Sequence, residues 1–285
     1  MNGTNLEKKS GGRSMTFMLL KKYYDENRNR LLLSFGLMPI IMLLVFFFIS
    51  LASYPISYSG YSATTDSMWR AETEMSIIFF LLFSTFAGSM MFSGLGSKEQ
   101  RLGMLTLPAP EISKFMSRFL LFVPIFIIVF ILSFMIADFG RFLIVKIFFN
   151  TSGWNVGMLP FQSFFIFDYM HVGIGSSYTP TASETAARVF SIYGMALLLI
   201  SVYSFGSLLF PRMSFIKTSV ALFIIVKIGS ILFAITMAAG RFDDISLPEW
   251  VASPYFVALF FLLLSGAGFT LSYGRMKEME VISRW

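Results

Sequence analysis

The sequence predicts an all-α, polytopic integral membrane protein with six transmembrane helices and both termini cytoplasmic. Three observations predict it. Residues 31–52, 75–96, 119–137, 189–210, 218–239 and 251–273 form six apolar stretches whose only charged residue is Lys227. A hydrocarbon core of ~30 Å needs about 20 such residues per helix, and backbone polar groups that find no water in lipid must satisfy themselves. Hydrophobic residues make up 56% of the 285 and charged ones only 13%, too few for an ordinary water-facing surface. With the N-terminus inside, the segments 1–30, 97–118, 211–217 and 274–285 hold 16 of the 22 Lys and Arg residues. The outer segments 53–74, 138–188 and 240–250 hold 5, which is the bias of the positive-inside rule.

Taken in order, residues 1–14 are rich in Gly, Ser and Lys and read as a disordered tail. Residues 15–30 read as an interfacial amphipathic helix. Met15, Phe17, Met18, Leu19 and Tyr23 would meet lipid, while Lys21, Lys22, Arg28 and Arg30 would meet headgroups and water. The first apolar stretch is too long for a signal h-region and lacks a clear A-x-A site, so it reads as a retained anchor. Residues 31–273 form the six-helix transmembrane domain. Asp66, Glu72 and Glu74 in one outer loop, and Asp243, Asp244 and Glu249 in another, read as solvated acids. The outer segment 138–188 carries apolar runs at 142–149 and 159–167, too short to cross, which read as interfacial or re-entrant pieces. Trp69, Trp154 and Trp250 fall at or beyond span edges, where indole rings anchor. Residues 274–285 form a cytoplasmic tail.

Catalytic equipment is not evident. With no Cys there is no thiol nucleophile or Cys-based metal site, and there is no G-x-x-x-x-G-K-[ST] loop to cradle nucleotide phosphates. His171 is the lone histidine, so H-E-x-x-H is impossible and a Ser–His pair would have to recruit it. No enzymatic activity, cofactor or metal is expected. The net charge of +6 comes from residues beside spans, so it speaks for membrane lipids rather than nucleic acid.

Three internal features remain. Lys227 sits near the middle of the fifth span, where a charge costs on the order of 2.5–3.5 kcal/mol on insertion scales, so a partner inside the bundle or a watery cavity is expected. Ser201, Ser204, Gly206 and Ser207 in the fourth span, Ser84 with Gly88 in the second, and Gly266 with Thr270 in the sixth are small residues that allow close helix packing. The segment 97–118 breaks at Pro108 and Pro110, and Pro can start a helix because its missing N–H costs nothing there. Glu111 then suits the first turn. Lys114 and Arg118 follow on roughly one face, with Phe115 and Phe119 on another. This describes either a short amphipathic helix leading into the third span or a cationic flank that stops transfer.

Leu105-Thr106-Leu107-Pro108-Ala109, followed by Glu111 and Lys114-Phe115, resembles the LPA(S)-x-x-EKF loop of six-span membrane proteins common in Bacteroidota. Those proteins belong with the permeases of type-2 ABC exporters. Ser204-Phe205-Gly206, with Phe215-Ile216-Lys217-Thr218 beyond it, is similar to their S-x-F-x-x-G … F-I-K-T segment. The resemblance implies a permease of a bacterial inner membrane, without an ATPase of its own, that works with a separate ATP-binding subunit as a homo- or heterodimer of permease subunits. It also implies that Pro108, Pro110, Glu111, Lys114 and Arg118 form the ATPase-coupling loop. A non-transporting membrane scaffold or assembly factor of the same fold remains the alternative. An ion-driven transporter would normally want ionisable residues in several spans, and the sequence puts only Lys227 there.

Overall fold

The computed structural model describes residues 4–56, 65–93, 109–148, 157–166, 182–210, 213–238 and 253–282. Among these the secondary structure is helical throughout: α1 (Thr4–Ile56), α2 (Thr65–Met91), α3 (Glu111–Leu120), a π-helical turn (Leu121–Ile125), α4 (Phe126–Phe148), α5 (Ser163–Ile166), α6 (Ala182–Leu209), α7 (Ser214–Ala238) and α8 (Pro254–Ile282). Six helical segments are long and apolar enough to cross a membrane: Leu31–Leu51, Trp69–Met91, Glu111–Phe148, Ala182–Leu209, Ser214–Leu232 and Tyr255–Glu278.

The helices outrun the apolar stretches. α1 has no break at residue 30, and it begins within the tail expected to be disordered. Extending an existing helix costs far less than nucleating one, and no Pro intervenes before Pro39. α2 starts ten residues before the expected span, so Glu72 and Glu74 lie on a helix and not in a loop. An Arg70–Glu74 pair at 2.7 Å, four residues apart, supports that extension. α4 runs on to Phe148, so the apolar run at 142–149 continues the third span instead of lying on the surface as a separate piece. Pro124 cannot donate an i→i−4 bond, and the wider π-helical turn around it accommodates the loss without ending the helix. α8 continues past residue 273 into the expected tail, with an Arg275–Glu278 pair at 2.8 Å.

The chain divides into two compact units. Unit one comprises Met1–Leu82 and Val123–Val189; unit two comprises Phe83–Phe122 and Phe190–Trp285. In unit one α1 packs along α4. The buried face of α1 carries Leu31, Met38, Met42, Phe46 and Ser50, and that of α4 carries Phe126, Phe130 and Phe134. Phe80 reaches this seam, its ring 4.9 Å from Phe130, while Phe134 meets Phe46 at 5.8 Å and Phe164 at 4.8 Å. Gly140 leaves room for the Leu43 side chain, which any Cβ there would overlap. The opposite faces expose Leu33, Ile40, Phe48, Ile128 and Ile136, as surfaces bathed in lipid do.

Unit two is packed differently. α6 turns Ser201, Ser204, Gly206 and Ser207 inward. α3 seats against α8, with Phe115 5.6 Å from Tyr273 and Phe119 5.1 Å from Phe269. α7 is exposed at every position from Phe223 to Leu232.

Candidate functional site

The spacing that buries Phe126, Phe130 and Phe134 on α4 continues to Asp138, Arg141 and Val145, so one helical face passes from aromatic to ionic. On α2 the face that buries Phe80 and Ile77 carries Ser76, Thr73 and Glu72 toward its start. These two ends build a charge cluster inside unit one. Glu72 and Asp138 are 0% exposed and Arg141 is 1%.

Arg141 is its centre. Its Nη2 donates to Asp138 Oδ1 at 2.5 Å and to the Gly157 carbonyl at 3.0 Å, and its Nε donates to Asp138 Oδ1 at 3.1 Å. Glu72 Oε1 lies 2.6 Å from the same Nε, close enough for an ion pair, although neither Glu72 oxygen has hydrogen-bond alignment. The contact is therefore chiefly coulombic. Asp138 Oδ2 accepts the Leu159 N–H at 3.0 Å, and the Trp69 indole N–H reaches the Gly157 carbonyl at 3.3 Å. A Cβ on Gly157 would stand 3.2 Å from the Trp69 ring, so the small residue permits this approach.

A guanidinium stays charged in any protein, and burying it is tolerable only when its donors are met. Here Asp138 and the Gly157 carbonyl accept from it, and Glu72 lies beside it at ion-pair distance. The cluster ties Gly157 and Leu159 to the start of α2 and to the far part of α4. Among the described residues, no three His, Cys, Asp or Glu side chains converge as a metal-binding set. The sequence signal for this cluster was the unbroken four- and three-residue spacing past Ala137, which the charge of Asp138 and Arg141 disguised as a loop.

Of the residues expected to couple to an ATPase, Pro108 lies outside the described residues. Pro110 precedes α3 and its carbonyl accepts the N–H groups of Ser113 and Lys114 at 2.9 and 3.2 Å. Glu111 occupies the first turn, half-buried. Lys114 and Arg118 do not face outward: they are buried with Ser113, Phe115 and Ser117. The Arg118 guanidinium sits 5.3 Å over the Phe92 ring, and Phe115 stacks on Phe92 at 6.1 Å. The outer face of α3 instead carries Ile112, 59% exposed, and Met116, 39% exposed. The expected polarity of this helix is thus inverted: Arg118 lays its head on an aromatic ring of the same unit, and Lys114 is buried on the same helix.

Ser84 and Ser204 are buried, and Gly88 and Gly206 are points of contact. A Cβ on Gly88 would come 2.5 Å from the Ile200 carbonyl oxygen, and one on Gly206 would overlap Thr218. In α8 the packing stripe is not Gly266 with Thr270, both exposed, but Gly268 and Ser272. Gly268 abuts Ser201, and Ser272 Oγ lies 3.2 Å from Ser204 Oγ.

Lys227 does not face the bundle. It is exposed on α7, and its Nζ stands 5.6 Å from the Phe223 ring four residues back, with no ion pair among the described residues. His171, Trp154, Trp250, Asp243, Asp244 and Glu249 lie outside the described residues. Comparison with known protein families, curated proteins and solved structures gives no match.

Proposed function

We propose that this chain is the membrane-spanning permease subunit of an ABC-type exporter in a bacterial inner membrane, acting with a separate ATP-binding subunit. Both termini and residues 97–118 are cytoplasmic in this reading, as the distribution of Lys and Arg supports. The motifs around Pro108 and Ser204 support the family.

The observation that carries the reading is α3. A subunit that hydrolyses ATP in water must move helices in lipid through a short, rigid lever. α3 is ten residues long, begins after Pro110, and is separated from the rest of its span by a π-helical turn. Its buried face joins Phe92 at the end of α2 and Tyr273 on α8, so a push on α3 reaches both within unit two. Lys114 and Arg118 root the lever, and Pro110, Ile112 and Met116 are what it presents to a partner.

The test is to replace Ile112 and Met116 together by Asp and to purify the protein from its native membranes. Burying each side chain in an interface is worth about 1.5–3 kcal/mol, so the complex with an ATP-binding subunit should weaken at least ~10-fold. An ATPase complex that survives this change at full yield and activity would sink the coupling role. If the unaltered protein brings down no ATP-binding subunit, the scaffold reading leads. One observation favours that second reading: the buried cluster fixes part of the 138–188 segment rigidly, as a docking platform requires.

A further inference from the structure

We infer that the surface of α7 around Lys227 is an interface for a transmembrane helix of another protein, one that carries an Asp or Glu near the middle of its span. The inference does not rest on the exporter reading.

Lys227 lies about 13.5 Å along the helix axis from Thr218 and about 16.5 Å from Ala238, at 1.5 Å per residue. Its four-carbon stem spans only part of the distance to either end of the helix, so reaching a headgroup would require the bilayer to thin around it. Among the described residues it meets the Phe223 ring and no carboxylate, and a ring face does not replace a hydration shell for an ammonium in hydrocarbon. The helix around it is bare: Phe223, Ile224, Val226, Ile228 and Ile231 are all at least half exposed. Ser230, one turn beyond Lys227, is small and already bonds its own helix through the Val226 carbonyl, so it offers a partner backbone a close approach.

Charge decides which partner. A second copy of this chain has no Asp or Glu in any of its six apolar stretches. Its buried acids Glu72 and Asp138 are already engaged by Arg141. A two-fold dimer through α7 would also bring two Lys227 ammoniums toward each other. The complement of an ammonium at this depth is a carboxylate on a different helix at the same depth, forming a hydrogen-bonded ion pair shielded from water.

The probe is a synthetic transmembrane helix of Leu and Ala with one central Asp, compared with the same peptide carrying Leu or Lys there. The full chain, labelled at a single cysteine through Lys217→Cys, is placed with each peptide in phosphatidylcholine vesicles, and energy transfer reports association. The Asp peptide should bind about 10-fold more tightly than the Leu peptide. Lys227→Met should erase the difference. Lys227→Asp should move the preference to the Lys peptide, which a merely misfolded variant would not do. Equal binding of Asp and Leu peptides would overturn the proposal, as would a preference that survives Lys227→Met. Energy transfer between labelled copies that depends on Lys227 would also overturn it, by naming a second copy as the occupant.

Discussion

Unit one and unit two bury comparable helices by opposite means. Unit one fills its interior with large side chains: Phe46, Phe80, Phe126, Phe130, Phe134 and Phe164 interlock, and the seam ends in a guanidinium between two carboxylates. Unit two, apart from the rings around α3, removes side chains where α6 meets its neighbours, so that Gly88, Gly206 and Gly268 meet Ile200, Thr218 and Ser201 directly, with serine hydroxyls between. In lipid no hydrophobic force drives helices together, and association relies on close packing and polar contacts. The first unit concentrates its polar energy at one point and the second spreads it over several weak ones. Removing a single group should therefore harm unit one far more than unit two.

The sharpest break is Arg141→Met. It leaves Glu72 and Asp138 buried without their cation, and losing one partner of a buried ion pair costs about 3–5 kcal/mol. A large fall in the midpoint of thermal or denaturant unfolding in detergent is expected. Adding Glu72→Gln and Asp138→Asn to Arg141→Met should restore most of it, because the amide oxygen of Asn can still accept the Leu159 N–H. If Arg141→Met alone unfolds at the same point as the unchanged protein, the cluster does not hold unit one together.

A smaller effect is expected at the glycines of unit two. Gly88→Val drives a side chain into the Ile200 backbone, with the first carbon 2.5 Å from the carbonyl oxygen and 2.9 Å from Cα. Overpacking of this kind costs roughly 1–3 kcal/mol. Gly266→Ala is the internal control, since its Cβ meets nothing within 4 Å, and a helical Gly→Ala change should be neutral or stabilising by up to ~1 kcal/mol. Equal losses at the two positions would remove the distinction between packed and open stripes on unit two.

These positions also mark what the sequence could tell. The six spans were legible because twenty apolar residues in a row have few alternatives. Their ends were not, since Glu72, Asp138 and Arg141 look like loop residues until each is seen to neutralise another. On α8, Gly266–Thr270 and Gly268–Ser272 have identical spacing, and only the position of α6 selects the second pair. For α3 the pattern of cations and rings left a helix or a cationic flank open and could not say which face turns inward, because that depends on Phe92 and Tyr273, distant in sequence. For Lys227 the sequence led to an expected partner inside the bundle, whereas among the described residues it is exposed and faces away, because little of α7 is covered there.

The smallest effect belongs to the hydroxyls. Ser204 Oγ donates to the Ser201 carbonyl at 2.7 Å and lies 3.2 Å from Ser272 Oγ on α8. Ser204→Ala removes the contact between helices but leaves nothing buried and unmet that its own helix does not supply, because Ser272 Oγ keeps its bond to the Gly268 carbonyl at 2.8 Å. Hydrogen bonds of this kind between membrane helices average about 0.6 kcal/mol and reach about 1.7. A loss near the lower figure is expected for Ser204→Ala, and a double-mutant cycle with Ser272→Ala isolates the shared term. A coupling indistinguishable from zero would mean that these serines matter for their size alone, which makes unit two purely a matter of backbone approach. A coupling above ~2 kcal/mol would instead place a second concentrated polar contact in the molecule, and the contrast between the two units would fail.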